Sequence, residues 1–309
     1  MSSIRERIDL VNRAEMSASL RYLAEDPLPY RKANYTLPGH EHSTLAEADA
    51  WIGAKLKNWG YRVCLESCQA QAFRRDETKD PHRQYSPPGP EDPWYELTNV
   101  YGIREGSDDD RGSIWLVAHK DSQSWIDSPG ANDNAIGTVG VLEAARLLSD
   151  YAPRHRLCLL FCNEEHAPWT SVTAATGARD RGEQIVGLFN TDGIGVRSPE
   201  DRAAGRMTNV TAYTVDDGLA VAELMSQAIA THAIPLEQRI VKRERPGDDD
   251  GSFVKAGFGR SVINIGSWPY ADPNYHLVTD AVEHVDIENA ALAVQAIVAA
   301  VLSLDGCGC

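Results

Sequence analysis

"GSIWLVAHKDSQSWIDSPGANDNAIGTVGVLEAARLLSDYAPRHRLCLLFCNEE", residues 112–165, decides the fold class. It opens with the apolar run "GSIWLVAH", residues 112–119, which has the length and composition of a buried strand. A helical pattern follows over 137–150, with Val141, Leu142, Ala145 and Leu148 on one side. A second apolar strand, "RLCLLFCN", occupies 156–163. Strand, helix, strand is the repeating unit of an α/β layer fold. The unit breaks pattern only where its strands end. His119 and Asp121 follow the first strand, Asp133 sits in a glycine-flanked turn, and Glu164 and Glu165 close the second strand side by side. Two adjacent carboxylates at the end of a core strand repel each other and lose hydration, so something must compensate them.

The same alternation continues in both directions. Strands are predicted at 61–70, within 183–195, at 209–215 and at 260–267, and helices at 43–60, 217–232 and 286–304. Ser43 and Thr44 read as an N-terminal cap, Gly60 as a C-terminal stop, and Asp286 as the cap of the last helix. "DETKDPHRQYSPPGPEDPWYE", residues 76–96, is rich in proline and charge and reads as a surface loop. No composition break demands a second domain, so one α/β domain over 1–309 is expected, with 303–309 as a flexible tail.

The chain has 309 residues, a formal charge of −15, 42% hydrophobic and 24% charged residues. That acidity argues against nucleic acid and anionic membrane as partners. The N-terminal residues carry charge where a secretory signal needs an apolar stretch, and no run of 18 apolar residues occurs. A cytoplasmic location with no membrane span is therefore expected. Six cysteines are too few for a disulfide scaffold of this size. Cys158 and Cys162 read as small buried hydrophobes, Cys64 and Cys68 as thiols able to bridge or stay reduced, and Cys307 and Cys309 as part of a frayed end.

Ligands of open α/β sheets bind at the carboxyl ends of the strands. There the sequence offers His119, Asp133, Glu164 with Glu165, Asp192 and, after the last strand, His276. Any one alone reads as a cap, a turn residue or a satisfied core histidine. Together at one rim they form an anionic pocket that bound cations would neutralise. The two histidines and three of these carboxylates suit a pair of borderline divalent ions such as Zn²⁺, which together can activate a water and polarise a carbonyl.

The ordered set "AHKDS", "PGANDNAIG", "CNEEHAPWTS", "NTDGIG" and "NYHLVTD" resembles the M28 family of co-catalytic zinc peptidases, over about residues 15–302. The resemblance implies a three-layer zinc-exopeptidase-like fold, with a central mixed, mostly parallel sheet flanked by helices. It implies two Zn²⁺ per chain, other divalent ions being possible: one on His119 and Asp192, the other on Glu165 and His276, with Asp133 between them. Glu164 would be the general base, Tyr275 a hydrogen-bond donor to the oxyanion, and Asp121 the residue that orients His119. A cis peptide at Asp133–Asn134 is implied as well.

Three places depart from the family pattern. Lys120 stands where a small or apolar residue is usual, as a cation beside the site or one that points away along the strand. "GDDDGSF" replaces S-D-H-x-P-F: Asp249 aligns with the family aspartate, Asp250 takes the histidine position, and the stretch reads as an exposed acidic turn. Thr170 and Ser171 replace a Gly-Ser pair. His166 matches no ligand position and reads as a loop residue. The activity implied is a metallo-aminopeptidase acting on a peptide or small amide with a free N-terminus. The alternatives are a glutaminyl cyclase, an amidohydrolase of N-acyl or small peptide substrates, and a non-catalytic relative. Tyr275 in place of tryptophan favours the hydrolase over the cyclase, and Trp169 keeps the cyclase in view.

Overall fold

Strand β5 (Ser113–His119) is buried along its whole length, and the rest of the protein is arranged around it. A computed structural model describes residues 3–108 and 112–306. Upstream lie helices α1 (Ile4–Ile8), α2 (Arg13–Ala24) and α3 (Thr44–Asn58), then β1 (Arg62–Ala72). A small hairpin, β2 (Arg74–Arg75) with β3 (Tyr85–Ser86), leads to β4 (Trp94–Arg104). After β5 come α4 (Ile136–Leu147), β6 (Arg156–Cys162), β7 (His166–Ala167), α5 (Thr170–Asp180) and β8 (Ile185–Thr191). The chain continues through α6 (Pro199–Ala203), β9 (Thr208–Tyr213), α7 (Asp217–Thr231), β10 (Glu237–Lys242), α8 (Asp248–Lys255), β11 (Ser261–Ile265) and α9 (Ile287–Gly306).

Nine strands form one mixed sheet in the order β10-β9-β11-β8-β5-β6-β4-β1-β7. The central neighbours β11, β8, β5 and β6 run parallel, and β4, β1 and β7 add antiparallel on one side. Side chains alternate across β5. Ile114, Leu116 and Ala118 enter one core with α2, α4, α7 and α9. Trp115 and Val117 enter a second core that includes Phe253 of α8 and Ala174 of α5. The result is the expected helix–sheet–helix layering, and it leaves β5 covered on both faces, which explains its unbroken apolar sequence.

Helix ends follow the sequence signals. Ser43 accepts from the Ala46 amide, Gly60 takes a φ of 77° just past α3, and Asp286 accepts from the Asn289 amide at 3.1 Å. Helix α9 is long and apolar enough to cross a bilayer, but it is largely buried here, packed on α1, α2, α4 and α7.

The tail expectation needs correction. Residues 303–306 belong to α9, because the buried Asp305 carboxylate accepts the amides of Arg154 and His155 and the His155 ring. Cys307 and Cys309 lie outside the described residues. The described cysteines Cys64, Cys68, Cys158 and Cys162 are free thiols. The proline-rich segment is also more than a surface loop. It supplies β3 of the β2–β3 hairpin and reaches back to the strand ends, where Tyr85 packs edge-on against His276.

Candidate metal centre

All five proposed ligands converge where β5, β6 and β8 end. His119 is the last residue of β5, Asp192 follows β8, and Glu164 and Glu165 follow β6. Asp133 is delivered by the turn 131–135 that opens α4, and its peptide bond to Asn134 is cis. Asn134 ties this turn down: its amide donates to Thr191 O at 2.8 Å, and its carbonyl oxygen accepts from Gly137 N. Gly137 has no room for a side chain, since a Cβ there would lie 2.3 Å from Thr191 O.

The carboxylate of Asp133 divides between the two histidines. Its Oδ1 lies 3.2 Å from His119 Nε2, and its Oδ2 lies 3.3 Å from His276 Nε2. Asp192 stands 3.3 Å from His119, and Glu165 stands 3.2 Å from His276. Two clusters result: His119, Asp192 and Glu164 on one side, and His276, Glu165 and Asp133 on the other.

Electrostatics show what the cluster lacks. Burial works against a charge on His119, yet Asp192, Asp121 and Asp133 push its pKa well above 6.5. His276 is likewise opposed by burial but raised to about 10 by Glu165 and Asp133. Burial lifts Asp192 to about 7 and Glu164 well above the usual carboxylate range, with Asp249 and Asp248 adding to Glu164. The pocket wants positive charge, and its donor set of imidazole nitrogens and carboxylate oxygens is one that zinc accepts. The residues fit the metal.

Asp121 is the hub behind the ligands. It accepts from His119 Nδ1 at 3.3 Å, from the Glu164 and Glu165 amides at 2.9 and 2.8 Å, and from His166 Nδ1 at 2.8 Å. Burial would raise its pKa, but the bonds to His119 and His166 hold it below the ordinary range. His166 is therefore no loop residue. It is fully buried in β7, and its Nε2 also accepts from Ala33 N. Lys120 points away from the site, to Thr98 O, Asn163 and Asp49. The "GDDDGSF" stretch is not an exposed turn: Asp249 and Asp250 are buried at the start of α8, where Asp250 pairs with Arg243.

Several supporting residues escaped the sequence reading. Gln123 donates to Asp133 Oδ2 at 2.8 Å and to Glu165 Oε1 at 3.1 Å. Asp280 accepts the amides of Asn132 and Asp133. Arg31 is wholly buried and donates to the carbonyls of Leu23, Lys120, Pro129 and Gly130. Asp280 ends the "NYHLVTD" motif four residues past His276, but nothing in sequence ties Gln123 or Arg31 to the site.

The clustered residues open into a cavity of about 230 Å³ walled by Phe73, Tyr85, Trp169, Trp268 and Tyr275. Tyr275 stacks on the His276 ring at 3.7 Å. One Glu164 oxygen is buried there and meets no partner among the described residues. A larger groove of about 430 Å³ lies around Glu105 and Glu183, where Arg156 pairs with both carboxylates.

Comparison with known proteins bears on the fold and the family. A probable zinc metalloprotease of Pyrenophora teres f. teres is 29% identical over 106 residues, 32% of this chain and 22% of that protein. Leucine aminopeptidase 1 of Phaeosphaeria nodorum is 25% identical over 191 residues, 57% of this chain and 48% of that protein. The matched stretch thus spans about a fifth to a half of these curated relatives. Among solved structures, a zinc aminopeptidase from Bacillus subtilis superposes with a TM-score of 0.70 at 16% identity, covering 95% of each chain. A glutaminyl cyclase from Bacteroides thetaiotaomicron gives 0.69 at 15%, covering 94% of this chain and 97% of that one. At such identities the superpositions show the shared fold and do not choose between its activities. The family is decided by sequence: the description of peptidase family M28 matches residues 99–302, well over half of the chain, and the protein belongs to that family.

Proposed function

We propose that this chain is a metal-dependent aminopeptidase that hydrolyses the first peptide bond of substrates with a free N-terminus. The observation that carries the reading is the Asp133 carboxylate, with one oxygen facing His119 and the other His276. A single carboxylate that faces both histidines is the arrangement expected around two zinc ions. His119 and Asp192 would hold one, Glu165 and His276 the other, and Asp133 both. Zinc bound there supplies Lewis acidity toward the scissile carbonyl and a water of lowered pKa.

The chain's own groups do the rest. Glu164 has a carboxylate oxygen free of protein partners and a raised pKa, both suited to taking a proton from the attacking water. The water oxygen bonds to the carbonyl carbon, the C–N bond breaks, and Glu164 returns that proton to the departing amine. Tyr275, in the cavity wall beside His276, is placed to donate a hydrogen bond to the oxyanion. Asp121 orients His119 and holds both glutamates through their amides. The surplus carboxylates suit a cationic α-amine.

Trp169 in the cavity wall supports a second reading, glutaminyl cyclisation. Aminoacyl anilides, N-acyl amino acids and glutamine-initiated peptides, each assayed with and without chelator, separate the two. Chelator-sensitive release from free-amine substrates is expected. Pyroglutamate as the main product would replace the aminopeptidase with the cyclase, and turnover of N-acyl substrates alone would point to an amidohydrolase. We further place the protein in the cytoplasm, as one domain, with neither nucleic acid nor membrane as partner.

A further inference from the structure

His276 reaches the centre from an unusual backbone. Its φ is 59°, a left-handed conformation uncommon for a bulky residue and kept only where the surroundings enforce it. The enforcement comes from the β1–β4 connection, which lies outside the stretch matched to the family. His276 Nδ1 donates to His82 O at 3.0 Å, and His82 Nδ1 donates to Tyr275 O at 2.6 Å. Carbonyls only accept, so both directions are fixed and each Nδ1 carries a proton. The first bond keeps a proton on His276 Nδ1, so the proton that metal displaces is the one on Nε2, which faces Asp133 and Glu165. The second fastens the backbone of the preceding residue to the same turn. Tyr85 and Trp125 pack edge-on against the imidazole, and Tyr275 stacks on it.

We propose that His82 is a positioning residue of the metal centre: its exchange of hydrogen bonds with Tyr275 and His276 makes the 73–93 segment part of the Glu165–His276 metal site. The proposal rests on the reading of His276 as a ligand. His82 touches neither substrate nor metal and acts through His276. By linkage, what the segment gives to metal affinity the metal returns to the segment as order.

The test is a calorimetric titration of the metal-free full chain with Zn²⁺. The wild type should take two equivalents. H82A keeps the main-chain carbonyl but loses the bond to Tyr275 O, and one of its two equivalents should bind about tenfold more weakly, as removal of a ligand's supporting partner commonly does. H82N, whose amide nitrogen sits close to the position of Nδ1, should recover most of that loss. Wild-type affinities in H82A, or an H82N as weak as H82A, would overturn the proposal. A second measurement needs no variant. Arg75 and Arg83 are exposed within the segment, so zinc should slow their cleavage by trypsin, and equal cleavage with and without zinc would also overturn it. A wild-type chain that hydrolyses free-amine substrates while H82A binds normally sinks this inference and leaves the function standing. A wild type that binds no zinc removes both.

Discussion

Glu164 and Glu165 are neighbours with opposite fates. Glu165 turns to His276 at 3.2 Å, while Glu164 keeps an unpartnered oxygen beside Asp248 and Asp249. Glu164→Gln should therefore retain metal, measured by elemental analysis, and lose about 10²–10⁴ of kcat, the usual worth of a general base. Asp133→Ala should lose metal and activity together, because both histidines face that one carboxylate. Protons and metal compete for the site. Asp192, raised to about 7 from 3.8, holds a proton in the folded metal-free chain that the unfolded chain gives up, so it costs stability as pH rises between those values. His276, raised to about 10 from 6.5, contributes stability that is complete below 6.5 and is lost as pH rises through about 10. For both groups the metal-free protein weakens with rising pH, while metal displaces the protons. The gap in Tm between zinc-loaded and chelated protein should widen from about pH 5 to pH 8. The clustering of His119, Asp133, Glu165, Asp192 and His276 was legible in sequence because strand ends are where such residues stand out. Gln123 and Asp280 were not, since each works through contacts that span a fold not yet known. Asp249 and Asp250 were misread because a run of acids reads as solvated until a partner such as Arg243 appears.

Among the elements, the strongly patterned ones were legible: β5, α4, β6, β8, α7, β11 and α9 all stand where the apolar periodicity puts them. Helices α5 and α8 and strand β10 escaped, being short and rich in small or polar residues, with placement decided by packing. The segment between α2 and α3 shows the same limit. Arg31 meets no carboxylate at bonding distance among its described partners; four backbone carbonyls take its donors and fix the chain between Lys120 and Gly130, just ahead of Asp133. Arg31→Leu strands several of those carbonyls, at about 1–3 kcal/mol for each left buried without a donor. A Tm lowered by about 5 °C or more in thermal melts is expected, with weakened metal binding because the Asp133 loop loosens. Unchanged stability would show that the N-terminal segment is not coupled to the centre.

At the scale of the molecule, two cores of unequal size sandwich one sheet, and the centre sits on the rim where three neighbouring strands end. Metal that binds only the folded chain stabilises it by mass action, about 2.7 kcal/mol per site at a free concentration of 100 Kd. Chelation should therefore lower the Tm by several degrees, read by calorimetry with and without chelator, and re-addition of zinc should restore it. The partition of ligands between rigid and lightly held parts has a further consequence. His119 belongs to a strand hydrogen-bonded on both sides within the sheet, whereas His276 is held by a hairpin segment. Amide protons of β5 should exchange with solvent deuterium only when the whole chain unfolds, those of residues 76–93 by local opening. An ion could then be traded with its surroundings through the loosely held side, on a timescale set by that opening, while the sheet beneath it stays shut.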